Sequence, residues 1–504
     1  MDSRLKIKAY VTSYSEEVTG SCNHVKVDWP NGRELSFVVD CGLFQEKEHL
    51  ERNAEKFGFT PSNIAFAIAT HVHTDHVGRF PYLVKKGFMG RIYTTEETKQ
   101  LLPAILNETC DRMQEEYEVA LKKYKAEKQA VRKAKLDSKG RGKRDKQRRE
   151  YTKEKPKAVT HMPVLIFERK DIDVCLDRVN TVAPFETFYP AEGLEVTFYP
   201  NAHIGGAVLV HVRAYDENEE LNFLFTGDLG MTNPVTGGET IIPDEVCEKI
   251  DFVVSEATYG ASDGPRDDEG ERQRHIKILE SVYKKRGTVM YMSNSLERPQ
   301  KVCADLVSMQ KENVFEGIKD FKIYFDSTFG IKCHSKYVKL YGDDYVPEKF
   351  QIIDKTTRDI VAAEEGPKMI ICTSLRLYQG SFVTYGSKML ASKNVTLIFV
   401  AYIPENVRNI VNLPRGTEID YMGEKVRLMC KMYNFGYYSS HITPEDLDEF
   451  LARFKNAKAL LFNHGTVEAK TNYVRRYKTD VNSTHNLLFG RTVMLTSDGI
   501  KKYF

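Results

Sequence analysis

The sequence predicts a mixed α/β protein with more than one domain, and three observations support this prediction. At 504 residues the chain exceeds the length that one hydrophobic core usually organises. Short apolar runs rich in β-branched and aromatic residues recur along it and stop at a polar residue, a pattern typical of buried strands. Helical periodicity appears between these runs, as in residues 76–86 and 444–455.

The first set of predicted strands ends at residues that are suited to chemistry. These strands and their final residues are LSFVVD at Asp40, IAFAIATH at His71, LEVTFYPNAH at His203, LNFLFTGD at Asp228, DFVVSE at Glu256 and KALLFNH at His464. Two helices belong to the same set. In residues 76–86 the side chains of Val77, Phe80, Leu83 and Val84 share one face, and Thr443 is placed to cap a helix over 444–455.

A second pattern lies between Glu256 and Tyr433. The strand candidates GTVMYMS, KIYFDS, KMIICTS and VTLIFVAYI alternate with helical stretches at wide spacing, which predicts a doubly wound module with a parallel sheet. Because the candidate ligand His464 lies beyond this region, we expect the module to be inserted into the first domain. The predicted boundaries are 1–258 for the first part of that domain, 259–435 for the insert and 436–504 for the return.

Residues 115–158 form a basic segment with its own character. Tyr117, Ala120, Leu121 and Tyr124 fall on one helical stripe, and a glycine-broken basic tract follows them. Residues 122–158 hold 17 Lys and Arg against five Asp and Glu, an excess that exceeds the net charge of +2 on the whole chain. The segment fits a solvated helical excursion, and it also fits a contact with a polyanion.

Composition excludes several other classes of protein. No apolar run reaches the 18 residues of a membrane span, and the start MDSRLKIKAY lacks the features of a secretory signal. Nine cysteines are scattered without a CxxC pair, which fits neither a disulfide framework nor a thiolate zinc site. We therefore expect reduced, mostly buried thiols, a cytoplasmic location and no membrane partner.

The stretch ATHVHTDHVGRF, residues 69–80, places three histidines and an aspartate within six consecutive positions. His71 and His73 are two apart on the loop that leaves a predicted strand, so both rings can face one metal ion. Asp75 and His76 follow at the start of the next helix, offset toward a second ion. Imidazole and carboxylate donors suit borderline metals such as zinc. One histidine alone would more simply be a packed residue, but four ligand types this close together favour metal binding.

The other ligands must come from distant strand ends, and NAHIGGA, FTGDLG and LFNHG offer His203, Asp228 and His464. His203 in isolation would also fit a residue that caps a turn. An aspartate has two oxygens and can bridge two ions about 3.5–4 Å apart. We therefore expect Asp228 to be the bridging ligand.

Several of these motifs resemble a known family. VVDCG, THVHTDHVG, NAHIGGA and FTGDLG are similar to motifs of the metallo-β-lactamase superfamily, and VVSEATYG, YYSSH and LFNHG resemble those of its β-CASP nuclease branch. The resemblance covers nearly the whole chain outside the basic segment. It implies an αββα sandwich with an inserted β-CASP domain, in which helices flank a parallel sheet, and a basic helical excursion.

The resemblance also implies two zinc ions per chain. Their ligands would be His71, His73 and His203 for one ion, Asp75, His76 and His464 for the other, and Asp228 as the bridge. Asp40 would hold ligand histidines through their second ring nitrogen. Glu256 matches the acidic motif of the branch, and His441 matches a histidine that lies beside the leaving group. Asp40, Asp75, Glu256 and His441 are therefore the catalytic candidates.

The implied reaction is hydrolysis of a phosphodiester. Two zinc ions that share a water lower its pKa from 15.7 to about 7, which supplies a hydroxide nucleophile. His441, oriented by Glu256, would give a proton to the leaving oxygen. The simpler interpretation of His441 is a surface histidine that precedes a helix.

RNA is the expected partner. RNA-cutting members of the branch carry a histidine in the last motif, where DNA-repair members tend to have valine, and this chain has His464. The candidate RNA contacts lie in SNSLERPQ, TSLRLYQGS and the basic segment, and comprise Arg298, Ser374, Gln379, Lys143, Arg144, Arg148 and Arg149. A DNA nuclease of the same branch, a small-molecule metallo-hydrolase and an inactive scaffold are the alternatives. The oligomeric state stays open, with a homodimer among the options.

Overall fold

The computed structural model describes residues 6–15, 17–139, 162–262, 266–375, 377–378, 380–477 and 483–504, and the side chains of all of these except 132–139. The basic-tract residues Lys143, Arg144, Arg148 and Arg149 and the loop residue Gln379 lie outside the described residues. The strands are, in chain order, β1 (Lys8–Ser13), β2 (Asn23–Asp28), β3 (Glu34–Val39), β4 (Ile64–Ile68), β5 (Arg91–Thr94), β6 (Val179–Thr181), β7 (Thr187–Ala191), β8 (Leu194–Pro200), β9 (Val208–Tyr215), β10 (Glu220–Phe225), β11 (Thr232–Asn233), β12 (Gly238–Glu239), β13 (Phe252–Ser255), β14 (Thr288–Met292), β15 (Lys322–Asp326), β16 (Phe350–Ile353), β17 (Lys368–Cys372), β18 (Val395–Phe399), β19 (Glu418–Tyr421), β20 (Glu424–Arg427), β21 (Lys431–Asn434), β22 (Ala459–Phe462), β23 (Ser483–Asn486), β24 (Thr492–Thr496) and β25 (Gly499–Tyr503). The helices are α1 (Thr74–Val77), α2 (Phe80–Lys85), α3 (Glu96–Lys139), α4 (Arg169–Leu176), α5 (Asp244–Cys247), α6 (Asp268–Lys284), α7 (Arg298–Glu312), α8 (Thr328–Tyr341), α9 (Arg358–Ala363), α10 (Phe382–Leu390), α11 (Glu405–Val411), α12 (Pro444–Ala452) and α13 (Val467–Tyr477).

Two mixed sheets face each other and form a sandwich. The first has the strand order β25-β24-β1-β2-β3-β4-β5-β6, and the second has the order β23-β22-β13-β10-β9-β8-β7. The core between them is apolar, with Phe37 and Val25 from the first sheet and Phe198 and Phe223 from the second, all buried. Alternating apolar residues fill this core because successive side chains of a strand point to opposite faces.

Helices cover both outer faces of the sandwich. Leu83 of α2, Leu102 of α3 and Ile172 of α4 pack on the outside of the first sheet. Leu447 of α12 and Tyr473 of α13 pack on the outside of the second sheet. This arrangement of helix, sheet, sheet and helix confirms the αββα sandwich that the motifs implied.

A third sheet lies between β13 and β22 in sequence and is parallel throughout. Its order is β16-β15-β17-β14-β18-β21, and each neighbouring pair of strands runs in the same direction. Helices α6, α7 and α8 cover one face, and α9, α10 and α11 cover the other. The parallel sheet flanked by helices is confirmed. The sequence patterns predicted four of its strands but missed β16 and β21, which are short and half exposed.

The sandwich and the parallel sheet share one apolar core. A single cluster of buried residues joins Leu83 and Leu106 on the outer face of the first sheet to Tyr337 of α8 and Ile371 of β17. Helix α3 takes part through its first turns, because the buried residues along it end at Cys110. Beyond that point the described part of α3 is half buried or exposed.

Two helix predictions have different outcomes. The helix over 444–455 is confirmed as α12, with the Thr443 hydroxyl accepting from the Asp446 amide at 3.1 Å, although it ends at Ala452. The continuous helix over 76–86 is wrong, because the chain forms α1 and α2 with a break between them. The Arg79 amide donates to the Cys41 carbonyl at 2.8 Å instead of extending α1.

Two further expectations concern the whole chain. The nine cysteines are all buried and unpaired, as predicted. Across the described ranges, no helix is both long enough and apolar enough to cross a bilayer.

Candidate metal centre

The candidate ligands lie at the strand ends of the sandwich, where the loops of both sheets meet. His71 and His73 occupy the loop between β4 and α1, and Asp75 and His76 lie in α1 itself. The backbone packs tightly here, since a β-carbon on Gly42 would fall 1.5 Å from the Asp75 carbonyl oxygen. Glycine is therefore required beside α1 so that the loop after β3 can approach it.

The first ligand group consists of His71, His73, His203 and one oxygen of Asp228. The His73 Nδ1 atom lies 3.1 Å from the His71 Nε2 atom and 3.2 Å from the His203 Nε2 atom. The Asp228 Oδ2 atom is 3.7 Å from His71 Nε2 and 3.5 Å from His203 Nε2. Ligands about 2.0–2.1 Å from a tetrahedral zinc ion lie about 3.3 Å from one another. The four distances given above, from 3.1 to 3.7 Å, lie around that value.

The second group consists of Asp75, His76, His464 and the other oxygen of Asp228. The Asp228 Oδ1 atom lies 3.0 Å from His76 Nε2 and 3.1 Å from His464 Nε2. The Asp75 Oδ2 atom is 3.7 Å from His464 Nε2. Asp228 thus presents one oxygen to each group, the arrangement expected of a bridging carboxylate.

Buried atoms without hydrogen-bond partners support a fit to metal ions. In the described part of the chain, His76 Nε2, His464 Nε2 and Asp228 Oδ1 are buried and have no hydrogen-bond partner, although they approach one another closely. Buried polar atoms are normally satisfied, so three unsatisfied atoms that converge on one point fit the ligands of a cation. The donor set of imidazole nitrogens and carboxylate oxygens is one that zinc accepts.

The electrostatics of the two groups differ. Burial holds the pKa of His71 and of His203 well below 6.5 and lowers the pKa of His73 to about 4, so these imidazoles are neutral donors at pH 7. Burial acts in the same direction on His76, but the carboxylates of Asp228 and Asp40 outweigh it and raise the pKa of His76. Negative charge at this position therefore attracts a cation.

Each ligand histidine whose Nε2 atom faces the centre has a hydrogen-bond partner on Nδ1. Asp40 accepts from His76 Nδ1 at 2.8 Å, and the Ser440 carbonyl oxygen lies 3.2 Å from His203 Nδ1. Thr70 and Thr258 hydroxyls lie 3.1 Å from the Nδ1 atoms of His71 and His464. Such partners fix the ring and its tautomer.

Sequence reasoning found Asp40 in this role but missed Thr70, Thr258 and Ser440. Thr70 directly precedes His71, and Thr258 follows Glu256 by two residues. The rule that every ligand imidazole needs a partner on its second nitrogen would have pointed to polar neighbours of the ligand motifs. Thr70 is also bound to Asp40, because its amide and hydroxyl donate to the two carboxylate oxygens at 2.8 and 2.9 Å.

Glu256 and His441 form a pair beside the first ligand group. The His441 Nδ1 atom lies 3.0 Å from Glu256 Oε2, and Glu256 is 1% exposed. The rings of His441 and His203 are 4.7 Å apart between centroids. The Tyr259 hydroxyl donates to the Ser439 hydroxyl at 2.6 Å, which anchors the loop that carries His441.

The remaining RNA-contact candidates in the described chain lie at the carboxyl edge of the parallel sheet. Ser374 follows β17 and is 6% exposed. Arg298 begins α7, and its Nη1 atom donates to the Val400 carbonyl oxygen at 3.2 Å. The structure does not bring Ser374 into the two ligand groups.

Comparison with known families agrees with this geometry. Residues 27–240 match the model of the metallo-β-lactamase superfamily, and residues 425–486 match the Zn-dependent metallo-hydrolase RNA specificity domain. The first match contains six of the seven ligand candidates. The second contains His441 and His464.

Three curated proteins are similar along most of this chain. Ribonuclease TTHA0252 of Thermus thermophilus is 23% identical over 454 residues, which cover 87% of this chain and 89% of that protein. The transcription termination factor FttA of Methanococcus maripaludis is 23% identical, over 96% of this chain and 72% of its own length. Cleavage and polyadenylation specificity factor subunit 3-II of Arabidopsis thaliana is 24% identical, over 92% and 68%.

Proposed function

The chain belongs to the metallo-β-lactamase superfamily, and on this premise we propose that it is a zinc-dependent ribonuclease of the β-CASP branch that hydrolyses RNA phosphodiester bonds. The observation that carries the proposal is the pair of ligand groups that share Asp228, with His441 and Glu256 beside them. Residues 259–435, which contain the parallel sheet, would be the β-CASP domain between the two parts of the sandwich.

Two zinc ions would be held by the seven ligands. When bound, they would lower the pKa of water toward about 7 and offset negative charge on the phosphodiester. The protein keeps their ligands oriented. Asp40 fixes the ring of His76 so that its Nε2 atom lies in the second ligand group beside Asp228, and Thr258 does the same for His464.

His441 is the proposed proton donor to the leaving oxygen. Glu256 accepts from its Nδ1 atom, so the opposite ring nitrogen is left to carry a proton toward the substrate. Glu256 in turn accepts a hydrogen bond from the Leu229 amide, one residue after the shared aspartate. The pair is therefore fixed to the same loop that presents Asp228.

RNA is the substrate that the comparisons favour. The RNA specificity match spans the segment that supplies His441 and His464, and the similar proteins include a ribonuclease and an RNA-processing factor subunit by name. Contacts to the RNA backbone would come from Arg298, from Ser374 and from the basic segment, through phosphates that carry no sequence information.

The test joins metal content to turnover. Purified protein should contain two zinc ions per chain and cut an RNA labelled at either end. Asp228→Asn, which changes the shared carboxylate, should lose both zinc and turnover, whereas Asp177→Asn, an exposed aspartate on α4's C-terminal side, should keep both. A fully folded protein that cuts RNA equally well after chelation would contradict the proposal. Fragment lengths from the two labels would separate internal cuts from end-directed degradation.

A further inference from the structure

The first turn of α7 lies against the loops of the metal centre. The Asn233 side-chain amide donates to Glu297 Oε1 at 2.5 Å, and Asn233 is five residues after Asp228. Glu297 precedes α7 with a φ of +65°, a left-handed conformation that costs energy for any residue except glycine. Strain of this kind persists where surrounding contacts fix the backbone, so the start of α7 is held in place beside the centre.

Lys301 lies in this turn and is only 6% exposed. Its backbone amide donates to the Glu297 carbonyl oxygen at 2.8 Å, but its ammonium makes no hydrogen bond or ion pair to any described residue. Lys368 shows the usual solution for a buried lysine, since its Nζ atom donates to the carbonyl oxygens of Val361 and Glu364 at 2.6 and 2.5 Å. The Lys301 Nζ atom is not among the fully enclosed atoms that lack a partner, so the ammonium reaches the surface although most of the side chain is buried, and it is open to a partner from outside the chain.

The charges around Lys301 define what that partner must be. Burial lowers the pKa of Lys301 to about 8, Glu297 opposes this shift, and Arg298 and Arg266 add to it. The ammonium therefore stays mostly charged at pH 7. Arg266 is paired with Asp268, whereas Lys301 and Arg298 face only the carboxylate of Glu297 among the described groups that act on Lys301, and that carboxylate already accepts from Asn233. This local excess of positive charge favours the binding of an anion.

Two observations place these cations beside His203 and His441. The loop between Asp228 and Asn233 packs against both, since a β-carbon on Gly230 would lie 2.8 Å from the His203 Cα atom and 2.7 Å from the carbonyl oxygen of Ser440, which precedes His441. Tyr259 interacts electrostatically with Arg298, and the Tyr259 hydroxyl donates to Ser439, two residues before His441. The unpaired ammonium is thus on the side of the centre where the proposed proton donor lies.

Resting on the proposed ribonuclease function, we propose that Lys301, together with Arg298, binds a phosphate of the RNA that neighbours the phosphate being cut. A phosphate offers only acceptor oxygens and negative charge, which matches an ammonium with three free donors. The contact would fix the register of the strand over the metal centre without reading its sequence. Lys301 would be a binding residue, and the bond-breaking groups would be unchanged.

The test compares Lys301→Met with Lys311→Met, a matched change of an exposed lysine on the same helix. We expect K301M to raise the KM for RNA about tenfold or more, as loss of a charge-assisted contact does, with a smaller effect on kcat. The log–log salt dependence of RNA binding should become shallower by about 0.7, the value for one phosphate contact on a single strand. K301R should keep the slope of the wild type, and K311M should match the wild type throughout.

Bis(4-nitrophenyl) phosphate, which has one phosphate, separates binding from general damage. K301M should lose much less activity on this substrate than on RNA while it keeps its zinc and its thermal transition. An equal loss on both substrates, or a KM and salt slope equal to those of K311M, would overturn the inference. If the wild type with zinc hydrolyses the small diester but never RNA, the ribonuclease proposal fails, and the inference fails with it.

Discussion

Asp40→Asn is expected to weaken the binding of both proposed zinc ions, because Asp40 supports one candidate ligand in each group. Its Oδ2 atom accepts from His76 Nδ1 at 2.8 Å and from the Thr70 hydroxyl at 2.9 Å. The same hydroxyl lies 3.1 Å from His71 Nδ1. One carboxylate therefore orients His76 directly and His71 through Thr70.

The size of the effect follows from counting acceptors. Asp40 accepts three hydrogen bonds, including the Thr70 amide at 2.8 Å on Oδ1, and it is 2% exposed, so water cannot replace a lost acceptor. An asparagine amide offers one oxygen and one NH₂ group, so at least one donor would then face another donor. Loss of such a supporting partner typically costs about 10–100-fold in metal affinity.

The assay is competition for zinc against a chromogenic chelator at fixed pH. D40N should release both ions at lower chelator concentration than the wild type, whereas Thr258→Val, which affects only His464, should weaken one ion. Asp177→Asn is the control for loss of a surface charge. Superimposable curves for D40N and the wild type would refute the reasoning, as would a D40N effect confined to a single ion.

Three other outcomes are expected. His441→Ala should keep two zinc ions and lower turnover about 10²-fold or more, and unchanged turnover would remove His441 from the mechanism. Deletion of residues 115–158 should weaken RNA binding and flatten its salt dependence while zinc is kept, since the buried part of α3 ends before this segment. A salt slope equal to that of the full chain would favour the alternative of a solvated excursion that does not contact RNA. His275, buried with Tyr291 and Tyr437 hydroxyls on its two ring nitrogens, has a pKa lowered to about 4 by burial. As the pH falls, His275 is therefore protonated in the unfolded chain before it is protonated in the folded chain. The contribution of neutral His275 to the free energy of unfolding is complete above about pH 6.5 and falls as the pH drops toward 4. Urea denaturation should show the wild type losing about 2 kcal/mol more than His275→Gln between pH 7.5 and 5, and equal losses would contradict the assignment.

The strands that carry the centre could be predicted because each is a continuous apolar run that ends in a polar residue. Asp40, His71 and Asp228 all come directly or nearly directly after buried strands. Two sheets packed face to face bring such ends to one edge, so the residues of the candidate ligand groups could be named from sequence and resemblance. The sequence could not give the pairing of ring nitrogens, since that depends on Thr70 and Ser440, whose positions are set by tertiary packing.

Helix α1 was mispredicted because tertiary contacts overrode its periodicity. The apolar positions Val77, Phe80 and Leu83 have helical spacing, and all are buried. The chain nevertheless turns at Arg79, whose amide bonds to the Cys41 carbonyl on another loop. A pattern of apolar residues records which side chains are buried, but it does not record where a backbone amide finds its acceptor.

Lys301 was missed for a related reason. Lysines are nearly always exposed, and nothing in SNSLERPQK distinguishes this lysine from the others on α7. Its burial is a result of the packing of α7 in the folded chain, which the local sequence does not record.

The shared apolar cluster beneath α2, α3 and α8 has a consequence for how the molecule melts. Separation of the parallel sheet from the sandwich would expose Leu106, Tyr337 and neighbouring apolar side chains to water. The sandwich and the parallel sheet are therefore not expected to unfold independently. Calorimetry should register one cooperative endotherm for both, and a destabilising change in either half should lower the melting temperature of the other.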